Sequence, residues 1–170
     1  MTGRRRTLLV ITLALIVGTL SPTAVMASAV RDGREYGTKY DIRYTRLVRP
    51  APHTFVWTIR TWGRWKKAPF WRTPLTLQLD TSGTTAPDYT VAIFTDPYAN
   101  GQTCELRHPN SKVIREGTLR RPDRHTATCR VSTNGIRFKK LHWKASMFIR
   151  MTLGGPVIDD APNSGWVSGV

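Results

Sequence analysis

The segment from Arg60 to Arg72 concentrates the side chains of this chain best suited to recognition chemistry. Trp62, Trp65 and Trp71 are interleaved there with Arg60, Arg64, Lys66, Lys67 and Arg72. Flat indole rings stack on sugar faces and on bases, and cationic groups pair with carboxylate or phosphate. A segment rich in both suits an anionic glycan, a single-stranded nucleic acid or an anionic membrane surface. Trp62, Arg64, Trp65, Lys66, Lys67 and Trp71 are therefore the candidate ligand-binding residues. The same segment also reads as a connection whose tryptophans fold back to cap a core, with Lys and Arg lying over them. Tryptophan is more often buried than displayed.

A second set is Asp80, Asp88, Asp159 and Asp160, which fall at the ends of apolar runs. Calcium takes roughly six to eight oxygens, and a carboxyl pair can act on a glycosidic bond. These groups would meet if the C-terminal segment paired next to the Leu75–Asp80 run. The plainer reading is turn formation, which aspartate favours. His53, His108, His125 and His142 are scattered and read as surface or structural residues. There is no Gly-x-Ser-x-Gly elbow, no His-Glu-x-x-His and no glycine-rich phosphate loop. No catalytic residue, metal or cofactor is assigned.

The elements that must position these residues are strands. Phe55, Trp57 and Ile59 alternate with polar or smaller neighbours. So do Leu75, Leu77 and Leu79, then Tyr89, Val91 and Ile93, then Ala127, Cys129 and Val131. Trp143, Ala145, Met147, Ile149 and Met151 follow the same period, and Tyr40, Ile42 and Tyr44 open the series. A period of two marks strands with one buried face. Turn chemistry separates them: Pro50-Ala51-Pro52, Ser82-Gly83, Asp96-Pro97, Asn100-Gly101, Pro109-Asn110 and Asn134-Gly135. Thr103 to Arg107 and Val113 to Leu119 are weaker strand candidates. Asn134 to Leu141 has room for one short helical turn. The fold class is all-β, an antiparallel β-sandwich of jelly-roll-like form with about eight strands.

The start of the chain gives its address. Arg4, Arg5 and Arg6 precede an apolar run from Leu8 to Leu20, and Ala27-Ser28-Ala29 supplies a small-x-small site. This is the pattern of a secretory signal peptide, with cleavage expected between Ala29 and Val30. Residues 1–29 are the signal, 30–39 a flexible leader and 40–170 the sandwich domain. The apolar run is shorter than the roughly twenty residues of a spanning helix. An uncleaved membrane anchor is the alternative localisation, and the only membrane association expected.

Cys104 and Cys129 are the only cysteines. In an oxidising compartment an even count reads as a disulfide. Closing such a loop stabilises a fold by roughly 3 kcal/mol in the chain-entropy model. The whole chain carries 26 Lys and Arg against 11 Asp and Glu. Loss of the three leader arginines lowers the formal charge from +15 to +12. That field attracts polyanions, although it also serves solubility alone.

Three short segments carry a family resemblance. They are Leu79-Asp80-Thr81 with Pro87-Asp88-Tyr89, the run Ala127-Thr128-Cys129-Arg130-Val131, and Asp160-Ala161-Pro162-Asn163-Ser164-Gly165-Trp166-Val167. Together they resemble uncharacterised secreted actinobacterial proteins, similar in turn to family-9-type carbohydrate-binding jelly-roll modules. The resemblance implies a sandwich over most of residues 40–170. Relatives of this kind often carry an acidic loop where Ser82 to Ala86 stand here. This chain has no carboxylate at those positions, which argues against a metal at Asp80 and Asp88.

The expected function is a secreted, non-enzymatic binding module for carbohydrate or an anionic cell-envelope polymer. Nucleic acid is not the expected partner, and the oligomeric state is left open. Two alternatives stand: a structural or protein-interaction domain without a small ligand, and an extracellular glycan hydrolase.

Overall fold

The structure, a computed structural model, describes residues 26–35, 40–65, 74–96, 101–150 and 156–169. The alternating runs become strands because each has one apolar side to hide from water. In chain order the first six are β1 (Met26–Arg31), β2 (Ile42–Ala51), β3 (Thr54–Thr61), β4 (Leu75–Asp80), β5 (Tyr89–Asp96) and β6 (Gly101–Arg107). Then come β7 (Val113–Glu116), β8 (Thr118–Arg120), β9 (Thr126–Ser132), β10 (His142–Arg150), β11 (Pro156–Ala161) and β12 (Val167–Ser168). Asn134 to Leu141 contains a turn and no helix.

All pairings are antiparallel. They build a five-stranded sheet of order β1-β2-β3-β9-β8 and a seven-stranded sheet of order β11-β10-β4-β5-β6-β7, with β12 on β10. The two sheets share one core. Phe55, Trp57 and Ile59 from the first meet Leu75, Leu77, Leu79, Val91, Ile93, Trp143 and Met147 from the second. The sandwich expected from periodicity is therefore the fold, with twelve strands among the described residues rather than about eight.

Two local features show how the core is closed. The alternation expected through Tyr40, Ile42 and Tyr44 breaks at a register shift between Ile42 and Tyr44. Beyond it Thr45 and Leu47 face inward and are completely buried. The shift brings the Thr45 hydroxyl to the buried Trp57 ring, whose Nε1–H donates to Oγ1 at 2.8 Å. A buried indole N–H without an acceptor would be costly. Cys104 on β6 and Cys129 on β9 form the expected disulfide and tie one sheet to the other.

Beside that disulfide, the run expected as one strand from Val113 to Leu119 is cut at Gly117. There the chain leaves one sheet for the other. A Cβ at residue 117 would stand 2.7 Å from Cys104 Sγ and 2.8 Å from Arg130 O, so the crossing needs glycine. At the other end of the chain, Val30 and Arg31, expected in a loose leader, lie in β1. They pair with Thr45 and Tyr44 of β2.

Candidate functional site

The outer face of the seven-stranded sheet carries a groove of about 450 Å³. Strand alternation builds it. Residues whose neighbours point into the core point out here: Thr76 on β4, Thr90, Ala92 and Phe94 on β5, and Arg107 on β6. Register sets them side by side, with Thr76 opposite Ala92 and Thr90 opposite Arg107. The β6–β7 turn walls one end with His108, Pro109 and Ser111. It is closed by Ser111 N–H to His108 O at 2.9 Å and His108 N–H to Lys112 O at 2.9 Å.

Several contacts fix the aromatic and cationic side chains of this face. Arg107 lies along the sheet, its Nε and Nη2 donating to Glu105 Oε2 at 2.9 and 2.8 Å. Its guanidinium sits 4.7 Å from the Phe94 ring centroid. His108 leans on Tyr89 at 5.5 Å between centroids. The face thus carries the Phe94 ring with the Arg107 guanidinium over it, the Thr90 hydroxyl, and the Thr76 hydroxyl, which donates to Ser146 O at 3.3 Å. Its size falls within the usual range for small-molecule sites. Ring and hydroxyls suit the apolar face and the hydroxyl edge of a sugar, and the guanidinium has donors to spare for an acidic group. None of the described lining residues is a carboxylate, and the nearest acid that holds one of them is Glu105 on Arg107.

The tryptophan segment is arranged differently. Trp65 is 2 % exposed and belongs to the core. Its backbone N–H donates to Arg124 O at 3.0 Å, and Arg121 Nη2 donates to its backbone carbonyl at 2.9 Å with the guanidinium 4.1 Å from the ring centroid. A ring so buried has no face left for a ligand, so Trp65 follows the core-capping reading of the segment and not the ligand-binding one. Trp62 is half-buried, with the Arg43 guanidinium 4.8 Å from its ring centroid. Arg64 is exposed. Lys66, Lys67 and Trp71 lie outside the described residues.

The four aspartates do not converge. β10 stands between β4 and β11, so Asp80 and the pair Asp159–Asp160 belong to strands that never touch. Asp80 and Asp88 instead build the loop between β4 and β5. Asp80 Oδ1 accepts from the backbone N–H of Ser82, Gly83 and Thr84, and Oδ2 accepts from that of Thr85. Asp88 Oδ2 accepts from the N–H of Thr81 and Ser82 and from the Thr81 hydroxyl. Burial alone would raise both pKa values, but these donors outweigh it and hold both carboxyls below the usual range. Asp160 pairs with Lys144 at 2.5 Å.

Asp159 points the other way and is completely buried. Its Oδ2 accepts the Ile42 N–H at 2.5 Å, while Oδ1 is buried without a partner. Burial pushes its carboxyl up to about 7, against the Ile42 hydrogen bond and helped by the nearby charges of Asp41, Asp32 and Glu35. Asn163 donates to Glu35 Oε1 and closes this group from the C-terminal loop. Alternation alone would turn the apolar Ile158 inward and Asp159 outward; the fold does the reverse and leaves Ile158 56 % exposed. Among the described residues, no three His, Cys, Asp or Glu side chains stand together in an arrangement fit to hold a metal ion. The chain matches no family model, no curated protein and no solved structure.

Proposed function

We propose that this protein is a secreted binding domain, and that a glycan or an anionic cell-envelope polymer lies across the groove on the seven-stranded sheet. The single observation behind this reading is the combination of Phe94, Thr76, Thr90 and Arg107 in one groove. The disulfide is compatible with an oxidising, extracellular setting. The net positive charge would hold an acidic polymer near the face by long-range attraction, while ring stacking would give specificity. In this reading Phe94, rather than Trp65, is the platform.

The test is retention of the oxidised protein on insoluble glycans and purified cell wall, at about 50 mM and about 500 mM salt, where screening differs strongly. Retention by a specific site survives the higher salt. Phe94→Ala is expected to weaken it at least tenfold, a loss of about 1.4 kcal/mol, with the melting temperature moved by only a few degrees. Binding that disappears at high salt and ignores Phe94→Ala would reduce the partner to any polyanion. No binding at either salt would favour a protein-interaction domain.

A further inference from the structure

β1 begins at Met26, but its burial begins at Ser28. Met26 and Ala27 are exposed, whereas Ser28 and Val30 are half-buried and Val30 packs against the core. Ser28 Oγ accepts the hydrogen bond of Trp143 Nε1 at 2.7 Å. Trp143 is completely buried, and an indole N–H sealed in a core needs an acceptor. Trp57 finds its own in Thr45 of β2. The acceptor for Trp143 comes from β1 of the opposite sheet.

The expected signal-peptide cut after Ala29 would therefore remove a structural residue. It would strip the acceptor from Trp143 and take away the pairs Ser28–Leu47 and Ala29–Arg46. Of the β1 ladder only the pairs Val30–Thr45 and Arg31–Tyr44 would remain, leaving most of the ten-residue β2 as an uncovered edge. A cut two residues earlier removes the exposed Met26 and Ala27 with their pairs to Arg49 and Val48, and keeps Ser28, Ala29 and the acceptor for Trp143. The sequence offers a site there as well, since Val25-Met26-Ala27 ends on alanine with another small apolar residue two positions before it. This site also lies nearer to Leu20, the end of the apolar run.

We infer that the leader is cleaved between Ala27 and Ser28, making Ser28 both the first residue of the mature chain and the acceptor for the Trp143 N–H. The inference rests on the export reading and moves its cleavage point. The full chain should be expressed in a secreting bacterial host, and the N-terminus of the exported protein read by intact mass and N-terminal sequencing. Mature protein starting at Ser28 is the expected result. A start at Val30, or at any other residue, overturns the inference and leaves export standing. A chain that stays uncut in the cells or their membrane overturns both.

Ser28→Ala supplies a second, independent readout. Alanine after Ala27 leaves the cleavage pattern intact, so the variant should be cut at the same place. Its melting temperature should then fall by about 4 °C through loss of the acceptor. Identical melting of variant and parent would refute the structural role of Ser28. It is also what a mature chain lacking residue 28 would give.

Discussion

Asp80 and Asp159 are both completely buried, yet folding treats their charges in opposite ways. Asp80 sits at the end of β4, where the next residues wrap around it and aim four backbone N–H groups at its two oxygens. Asp159 sits within β11, whose own N–H groups belong to the ladder with β10. It receives one N–H, from Ile42, and faces three other acids. Both side chains are closed to solvent, but Asp159 also lies deeper and beside other acids, while Asp80 has the donors. A carboxylate that replaces its hydration with several hydrogen bonds stays ionised, and one that does not is driven toward its neutral form.

The largest expected effect comes from removing the well-served acid. Asp80→Ala leaves the loop from Ser82 to Thr85 without its centre and strands several amides. Urea unfolding should show a loss of about 4 kcal/mol. A loss below about 1 kcal/mol would mean that the loop holds its shape without the carboxylate, and the contrast with Asp159 would collapse.

The next effect concerns pH. The Asp159 carboxyl titrates near 7 in the folded chain and near 3.8 when unfolded. Its contribution to stability is therefore fully present below about pH 4 and is lost as pH rises toward 7. Asp80 has the reverse sign: its folded pKa is depressed, so its contribution is present above the unfolded value of 3.8 and is lost on acidification below it. Asp159→Asn should flatten the decline in unfolding free energy between pH 4 and pH 7 by about 2 kcal/mol. An unchanged slope in the variant would show that Asp159 stays ionised in the fold.

The smallest effect separates amides from imidazole at Asp80. His142 Nδ1 lies 3.3 Å from Asp80 Oδ2, and its ring is partly open to water. His142→Gln should cost only about 0.5 kcal/mol at pH 6, as screened ion pairs do. A cost approaching that of Asp80→Ala would transfer the stabilisation from the loop amides to the histidine.

The strands that were legible in the sequence share one property. Phe55–Ile59, Leu75–Leu79, Tyr89–Ile93, Ala127–Val131 and Trp143–Met147 keep an unbroken period of two, and each buries the side that carries its larger apolar groups or, on β9, its cysteine. Where the period slips the reading failed. The shift between Ile42 and Tyr44 puts Thr45 inside, for a partner twelve positions away on the next strand. The Cys104–Cys129 pair was legible because only two cysteines exist. The tryptophan segment was ambiguous because an indole suits a binding face and a core equally well. Trp65 was decided by Arg124 and Arg121, which are remote in sequence.

By itself the sequence determined that the domain is all-β, that it folds into packed antiparallel layers, and that one disulfide braces it. Those properties are written in short-range alternation, turn residues and cysteine count, which need no knowledge of the rest of the chain. Only the tertiary structure decided the strand order, the groove built from β4, β5 and β6, the opposite fates of Asp80 and Asp159, and the pairing of Ser28 with Trp143. Each of these depends on which strands become neighbours. That choice is made by the core as a whole, because a side chain's exposure and hydrogen-bond partners come from residues far away along the chain.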